Sequence, residues 1–338
     1  METKKLSSPS FYIPTTILAL LLFLPLFLWN FGSPFQIHVM IMVCFYAFLG
    51  TAWNLVGGYV GQVSIGHSAF YGIGAYVATL AFLEYSISPW LCMFLGAISA
   101  AIFAVSIGVP SVRFRGGGAF FALVTIAFAE TVRLVFLNLK IGGGAAGVWM
   151  PVLPESFLNF QFHSSKVPYY YIIFGFLLAE IFIIHRILKS RWGYYFVAIR
   201  EDEIKAESVG INTTKYKLIA IFISAFFTAI GGVFYAQYVL YFDPFTVFPL
   251  ELSVYMVLVA TIGGRGTLLG PVVGSFILTP ISEYTRVWLG GSFRGLSLTV
   301  YGILLMVIVI IIPAGLIVWV KKGYRVILDS LSQSTKHD

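Results

Sequence analysis

The segment Gly61-Gln62-Val63-Ser64-Ile65-Gly66-His67-Ser68 sets an imidazole beside two hydroxyls and an amide. A Ser/His pair becomes a hydrolytic nucleophile only with an orienting acid and an oxyanion site, and this stretch supplies neither. The same residues have a second use. Gly57, Gly58, Gly61 and Gly66 permit non-helical backbone and close helix contact, while Gln62, Ser64, His67 and Ser68 can satisfy exposed peptide groups or a small polar ligand. Tight packing and the lining of a transport pathway by a discontinuous helix are both open on these residues.

Three other places carry charge where it is costly. Glu130 and Arg133 are three residues apart on one helical face and can offset each other's placement in an apolar segment, as an anchoring pair or at an outer vestibule. Glu180 stands alone near the middle of an apolar run, the position of a proton-carrying acid or of an internal contact to another helix. The stretch from Arg200 to Asn212 is the most polar. Glu203 and Glu207 share a helical face, Ile204 and Val209 are available for docking, and Gly210 can end a short surface helix.

The elements that hold these residues are membrane helices. Of 338 residues, 59% are hydrophobic and 10% are Asp, Glu, Lys or Arg, against about 25% charged in ordinary soluble domains. Between Leu6 and Val112 the one formal charge is Glu84, a stretch too long and apolar for the strands of a soluble core. The net charge of +7 is scattered among apolar segments, which argues against nucleic-acid binding. Cys44 and Cys92 lack metal-ligand spacing and read as buried free thiols. Lys4 and Lys5 precede an apolar run from Tyr12 to Trp29 that has the charge order of a signal sequence without a small-residue cleavage site, so it reads as a retained first helix.

The fold expected is an all-α polytopic bundle of about ten spans, with room for broken or re-entrant helices: 11–30, 37–56, 60–83, 89–110, 117–137, 168–188, 217–238, 249–263, 267–284 and 295–318. Residues 1–10 and 319–338 form an amino terminus and a tail, and 189–216 is a loop within the membrane domain 11–318. With the amino terminus inside, sixteen Lys or Arg residues fall on the inner side and five on the outer, which predicts two cytoplasmic termini. Glycine interrupts the third span and the eighth-to-ninth junction at Gly263-Gly264-Arg265-Gly266-Thr267, where backbone must meet water or protein. The outer connection from Asn138 to Val167 has Gly142-Gly143-Gly144, Pro151 and Pro154, and is expected to carry a short surface helix and a flexible rim.

Gly57 to Phe70 resembles the amino-terminal signature of the branched-chain amino-acid permease family of bacterial and archaeal ATP-binding-cassette importers. Further resemblance lies in Arg115-Gly116, Phe120 to Thr125 with Glu130 and Arg133, Ile262 to Gly274, and Pro313 to Leu316, and it spans most of residues 50–318. The subtype is the one paired with a second, homologous permease. In that family the loop similar to Ile204-Lys205-Ala206 with Gly210 docks on an ATPase. Here Glu203 comes one place early and Lys205 replaces a small residue.

The resemblance implies two permeases, two cytoplasmic ATPases that bind ATP, and a periplasmic or lipid-anchored binding protein delivering branched-chain amino acids at the inner membrane. The residues themselves give pathway candidates Gln62, Ser64, His67, Ser68 and Glu130, and the resemblance implies coupling candidates Glu203, Lys205, Ala206 and Gly210. This chain itself is expected to carry no cofactor, metal or catalytic residue; Gly263 to Thr267 lacks the GxxxxGK[ST] phosphate loop. Urea or short amides are the alternative substrates. An ion-coupled carrier using Glu180 and a non-transporting assembly subunit are the alternative classes.

Overall fold

The computed structural model describes residues 33–113 and 117–289, together with Leu21, Gly302, Ile303, Met306 and residues 315–317. The spans expected at 11–30 and 295–318 lie almost wholly outside these residues, as do both termini.

Helix α1 (Pro34–Asn54) starts on a reciprocal cap: the Ser33 side chain accepts from Gln36 N–H while the Gln36 side chain accepts from Ser33 N–H, with Pro34 supplying a pre-set φ. It runs into a π-helical turn, Leu55–Val60, which ends at Gly61 in the left-handed region (φ 83°). After a break, α2 (His67–Tyr85) resumes the path, followed by α3 (Pro89–Arg113) and α4 (Gly117–Asn138). The helices α5 (Val167–Leu188), α6 (Arg191–Glu201), α7 (Glu203–Ser208) and α8 (Thr213–Val239) follow. A one-turn α9 (Pro244–Val247), α10 (Leu250–Gly264) and α11 (Gly270–Leu289) complete the described chain.

Among the described residues, six segments are long and apolar enough to cross a bilayer: Pro34–Val60, Pro89–Val112, Phe120–Asn138, Val167–Leu188, Thr213–Val239 and Pro244–Gly264. The expectation of ten is corrected to that extent. The third and ninth expected spans exist as α2 and α11, helices of 19 and 20 residues, but His67, Glu84, Glu283 and Arg286 make them more polar than the six. Their starts also move: α2 begins at His67 rather than 60, and α11 at Gly270 rather than 267.

At the centre, α2, α3 and α8 pack on one another, and α1 packs across α5, α8, α10 and α11. Close approach depends on missing side chains. A Cβ on Gly74 would stand 2.6 Å from Ala229 Cβ, and one on Gly96 would stand 2.6 Å from the Gly74 carbonyl, so small residues set the helix separation. The core is aromatic, with Trp53, Tyr71, Tyr76, Phe45 and Phe234 fully enclosed. Outside, Leu91, Phe94, Leu95, Ile98 and Ile102 form one exposed stripe along α3, the apolar face of a helix against lipid. Cys44 and Cys92 are buried free thiols, as expected.

The connection 138–167 differs from its expectation. Among its described residues it holds no surface α-helix but two single 3₁₀ turns, Lys140–Gly142 and Gly144–Ala146, and a short strand β1 (Val148–Trp149). That strand pairs antiparallel with β2 (Tyr241–Phe242), Val148 opposite Phe242. The glycine run bends too sharply to sustain an α-helical turn; Gly143, Gly144 and Gly147 all have positive φ.

Candidate functional site: a pinned break in the first described span

Where α1 gives way to α2, the chain is held by side chains of α1 and α2 themselves and of three other helices. Trp53 Nε1 donates to the Ser64 carbonyl at 2.7 Å, Thr125 Oγ1 on α4 accepts from Ile65 N–H at 3.1 Å, and Ser253 Oγ on α10 accepts from Ser68 N–H at 2.8 Å. His67 closes the set. Its Nδ1 lies 2.9 Å from Ser64 Oγ and its Nε2 2.8 Å from Ser224 Oγ on α8. Ser224 spends its own proton on the Ala52 carbonyl at 2.6 Å, so it accepts from Nε2–H and Nδ1 accepts from Ser64. The imidazole is thereby a neutral, two-sided strut.

The Gly57–Gly58 end of the break has a second set. Asn54 uses both ends of its amide on the α10–α11 turn: Oδ1 accepts from Gly266 N–H at 2.9 Å and Nδ2 donates to the Thr267 carbonyl at 2.9 Å. Gly58 is required here, because a Cβ would come within 2.0 Å of Asn54 Oδ1. Arg265 Nε donates to the Gly57 carbonyl at 2.7 Å and Arg200 Nη1 to the Gly58 carbonyl at 3.3 Å. Intramembrane backbone that leaves the helical ladder needs such partners.

The structure brings Ser64, His67 and Ser68 together, all buried. Gln62 borders them, half-buried. Glu130 does not join them; it pairs with Arg133 further along α4 and is about half exposed. The pocket beside His67, lined by Ser64, Phe70, Ile107, Ser111 and Thr125, has about 10 Å³, the limit of one water. In this conformation the break is a joint, not a chamber for an amino acid.

The segment 189–216 forms two capped helices rather than a single short one. Ser190 Oγ accepts from Trp192 N–H, and Asp202, where α6 ends, caps α7 by accepting from Lys205 N–H at 3.0 Å. That hydrogen bond, with the Lys205 ammonium, holds the Asp202 carboxyl below its ordinary pKa. Glu203 pairs with the buried Lys217 of α8 at 2.6 Å, Thr213 donates to Glu207 at 2.7 Å, and Ala206 is buried. Lys205 is exposed and pairs with Asp202 at 3.0 Å. Gly210 has φ 86° and turns the chain into α8.

Several contributors are absent from the sequence-derived set: Trp53, Asn54, Thr125, Arg200, Ser224, Ser253 and Arg265. Asn54 had a signal, as a lone amide just before a double glycine in an apolar run. Ser224 and Ser253 had none, since single hydroxyls in apolar helices commonly bond their own helix. A further polar group lies away from the break: His38 on α1 bonds the Tyr238 hydroxyl at 2.7 Å and stands 3.8 Å from Glu283, which also pairs with Arg286.

A multi-pass helical bundle whose interior is organised around a jointed span, with a rigid helical elbow at one end of it, is built as a membrane permease. The chain belongs to the family described as the permease component of the branched-chain amino acid transport system, whose pattern matches residues 36–311. It is 29% identical to the high-affinity branched-chain amino acid transport system permease protein LivM of Salmonella typhimurium, over 93% of this chain and 79% of that one. With LivM of Escherichia coli strain K12 the identity is 28% over the same shares. It is also 24% identical to LivH of Salmonella typhimurium, over 80% of this chain and 91% of LivH. No solved structure matches the chain. As a permease component, the chain is a transport subunit and not an enzyme.

Proposed function

We propose that this protein is one of two homologous permeases in an ATP-driven importer of branched-chain amino acids at the bacterial inner membrane. The second permease, two cytoplasmic ATPases that bind the nucleotide, and a periplasmic or lipid-anchored binding protein complete it. Its likeness to both LivM and LivH, each named a permease of a high-affinity branched-chain amino acid transport system, supports a paired arrangement.

The observation that carries this reading is the α6–α7 elbow. Its inner side is tied to α8 through Glu203–Lys217 and Glu207–Thr213, with Ala206 buried between them. Its outer side presents Ile204, Val209, Tyr194 and Lys205 to solvent. A small rigid helix, anchored by one face and apolar on the other, is what a motor needs to push on. Glu203, Lys205, Ala206 and Gly210 thus form the coupling element: Glu203 and Ala206 anchor it, Lys205 meets the ATPase and Gly210 sets its turn.

The elbow is cytoplasmic in this reading, as are residues 1–10 and the tail 319–338, following the basic-residue bias. Residues 11–318 form the transmembrane domain in this reading. Ser64, His67 and Ser68 shape the joint, while Gln62 and the half-exposed Glu130 face the pathway. Single cysteines placed in 189–216, after replacement of Cys44 and Cys92, should label only from the cytoplasmic side; labelling only from outside would reverse the topology.

The function is tested by reconstitution with the partner subunits. Leucine uptake should require ATP hydrolysis, persist when the proton gradient is collapsed, and be unaffected by excess urea or acetamide. Gradient-driven uptake without the ATPases would reject it in favour of a carrier using Glu180, which is fully buried and without a hydrogen-bond partner among the described residues.

A further inference from the structure

The π turn at Leu55–Val60 leaves two peptide groups unserved. Gly61 N–H and Gln62 N–H both donate to the Val56 carbonyl, so the carbonyls of Gly57 and Gly58 must find partners outside the backbone ladder. They find cations, as the negative end of a helix favours. Arg265, in the turn between α10 and α11, donates Nε to Gly57, and Arg200, the penultimate residue of α6, donates Nη1 to Gly58. Adjacent peptides of one span are thus fastened to two different elements, one the α10–α11 turn and one the elbow.

Arg200 is tightly framed. Its Nε and Nη2 bind Glu201 Oε1 at 3.1 and 2.7 Å. A Cβ on Gly61 would stand 2.9 Å from Arg200 Cγ, and a Cβ on Gly266 would stand 2.8 Å from Arg200 Nη1. Two residues on, Asp202 separates α6 from α7, so Arg200 sits at the root of the docking surface. On the other side, the Trp53 ring fills the space over Gly57, where a Cβ would approach to 2.2 Å, and its Nε1 holds the Ser64 carbonyl. A displacement of the Gly57–Gly58 peptides therefore reaches Ser64 and His67 through one rigid indole.

On the proposed ATP-driven reading, we infer that Arg200 is a positioning residue that passes movement of the α6–α7 elbow to the π turn and so to the joint at residues 61–66, with Arg265 as the fixed point against which it pulls. π turns within helices occur often at functional sites, and here the spare peptide groups are held by side chains from two other elements. Rigid helical elements with side-chain fasteners are the material through which such motion travels.

The test compares Arg200→Ala, Arg200→Gln and Arg200→Lys in the reconstituted complex with binding protein and leucine. ATPase co-purification, thermal midpoint, stimulated hydrolysis and leucine imported per ATP hydrolysed are measured together. Arg200→Ala should leave co-purification and hydrolysis at the wild-type level while leucine per ATP falls roughly tenfold, the weight of one hydrogen bond to a charged group. Arg200→Lys, which keeps a cationic donor, should restore most of that ratio. Should Arg200→Ala fail to assemble, Arg200→Gln decides by the same ratio. An unchanged ratio, or a parallel fall in thermal midpoint, hydrolysis and uptake, would assign Arg200 a packing role and overturn the inference. Wild-type uptake that does not follow ATP would instead remove the ATP-driven reading, and is read from the unmutated complex.

Discussion

Replacing His67 by Ala separates a structural strut from a substrate ligand. The imidazole is 1% exposed, makes hydrogen bonds of 2.9 and 2.8 Å to hydroxyls on two sides of the break, and meets Phe70 edge-on with centroids 5.4 Å apart. Each hydrogen bond contributes about 1 kcal/mol, and emptying a buried ring-sized space adds a cavity cost, for a total of about 3 kcal/mol. For a chain of 338 residues that is roughly 4 °C of thermal midpoint. Thermal unfolding of the purified assembly and the leucine dependence of uptake are measured side by side. The midpoint should fall while the KM for leucine holds among the molecules that remain folded. A wild-type midpoint with a KM raised severalfold would refute the reasoning and make His67 a pathway ligand.

Gly210→Ala should be mild: a Cβ there meets nothing within 4 Å, so the cost is the left-handed φ of 86° alone, about 1 kcal/mol. Gly210→Pro cannot adopt that φ and also loses the N–H donated to Glu207 O at 2.9 Å, so it should reduce uptake and weaken or uncouple the ATPase, measured by co-purification and stimulated hydrolysis. Asp202 has a depressed pKa, chiefly through the Lys205 N–H. Its stabilisation of α7 is therefore present above the ordinary carboxylate range and lost as pH falls through the lowered value. Hydrogen-exchange protection factors at residues 203–208 should fall in acid, and Asp202→Asn, an uncharged cap, should flatten that dependence. Glu180→Gln keeps the shape and abolishes the charge, so ATP-driven uptake should survive it in proteoliposomes; loss of transport with intact hydrolysis would give the carboxyl a direct role.

The membrane class was legible because a single formal charge between Leu6 and Val112 leaves no soluble alternative. Boundaries were less so. Read by hydropathy, one span ends at 56 and the next begins at 60; the π turn and the left-handed Gly61 are backbone events to which side-chain apolarity is blind. Helix α6 escaped notice for the opposite reason. Its buried face is only Gly193, Phe196 and Ile199, too short a stripe to stand out among charges. Glu130 lay in a segment resembling the family core, yet Thr125, little more than a turn earlier on the same helix, is the residue that reaches the break. A motif in sequence marks a neighbourhood, and the direction of each side chain within it is decided by packing.

That distinction explains why the residues most suggestive of chemistry turned out to be bonded to one another. A break inside a membrane exposes peptide groups that water cannot serve, so several helices must each lend a donor or acceptor. Segments 57–70, 120–125 and 262–274, far apart in sequence, meet at residues 57–68 and supply Trp53's neighbour Gly57, Thr125, Arg265, Gly266 and Thr267 to one joint. Glycine is present there because the partners come too close for a side chain, as at Gly58 against Asn54. Such a joint holds its shape through many weak fasteners whose partners sit on different helices. A movement applied through any one of those helices reaches the joint directly, since each of them holds one of its fasteners.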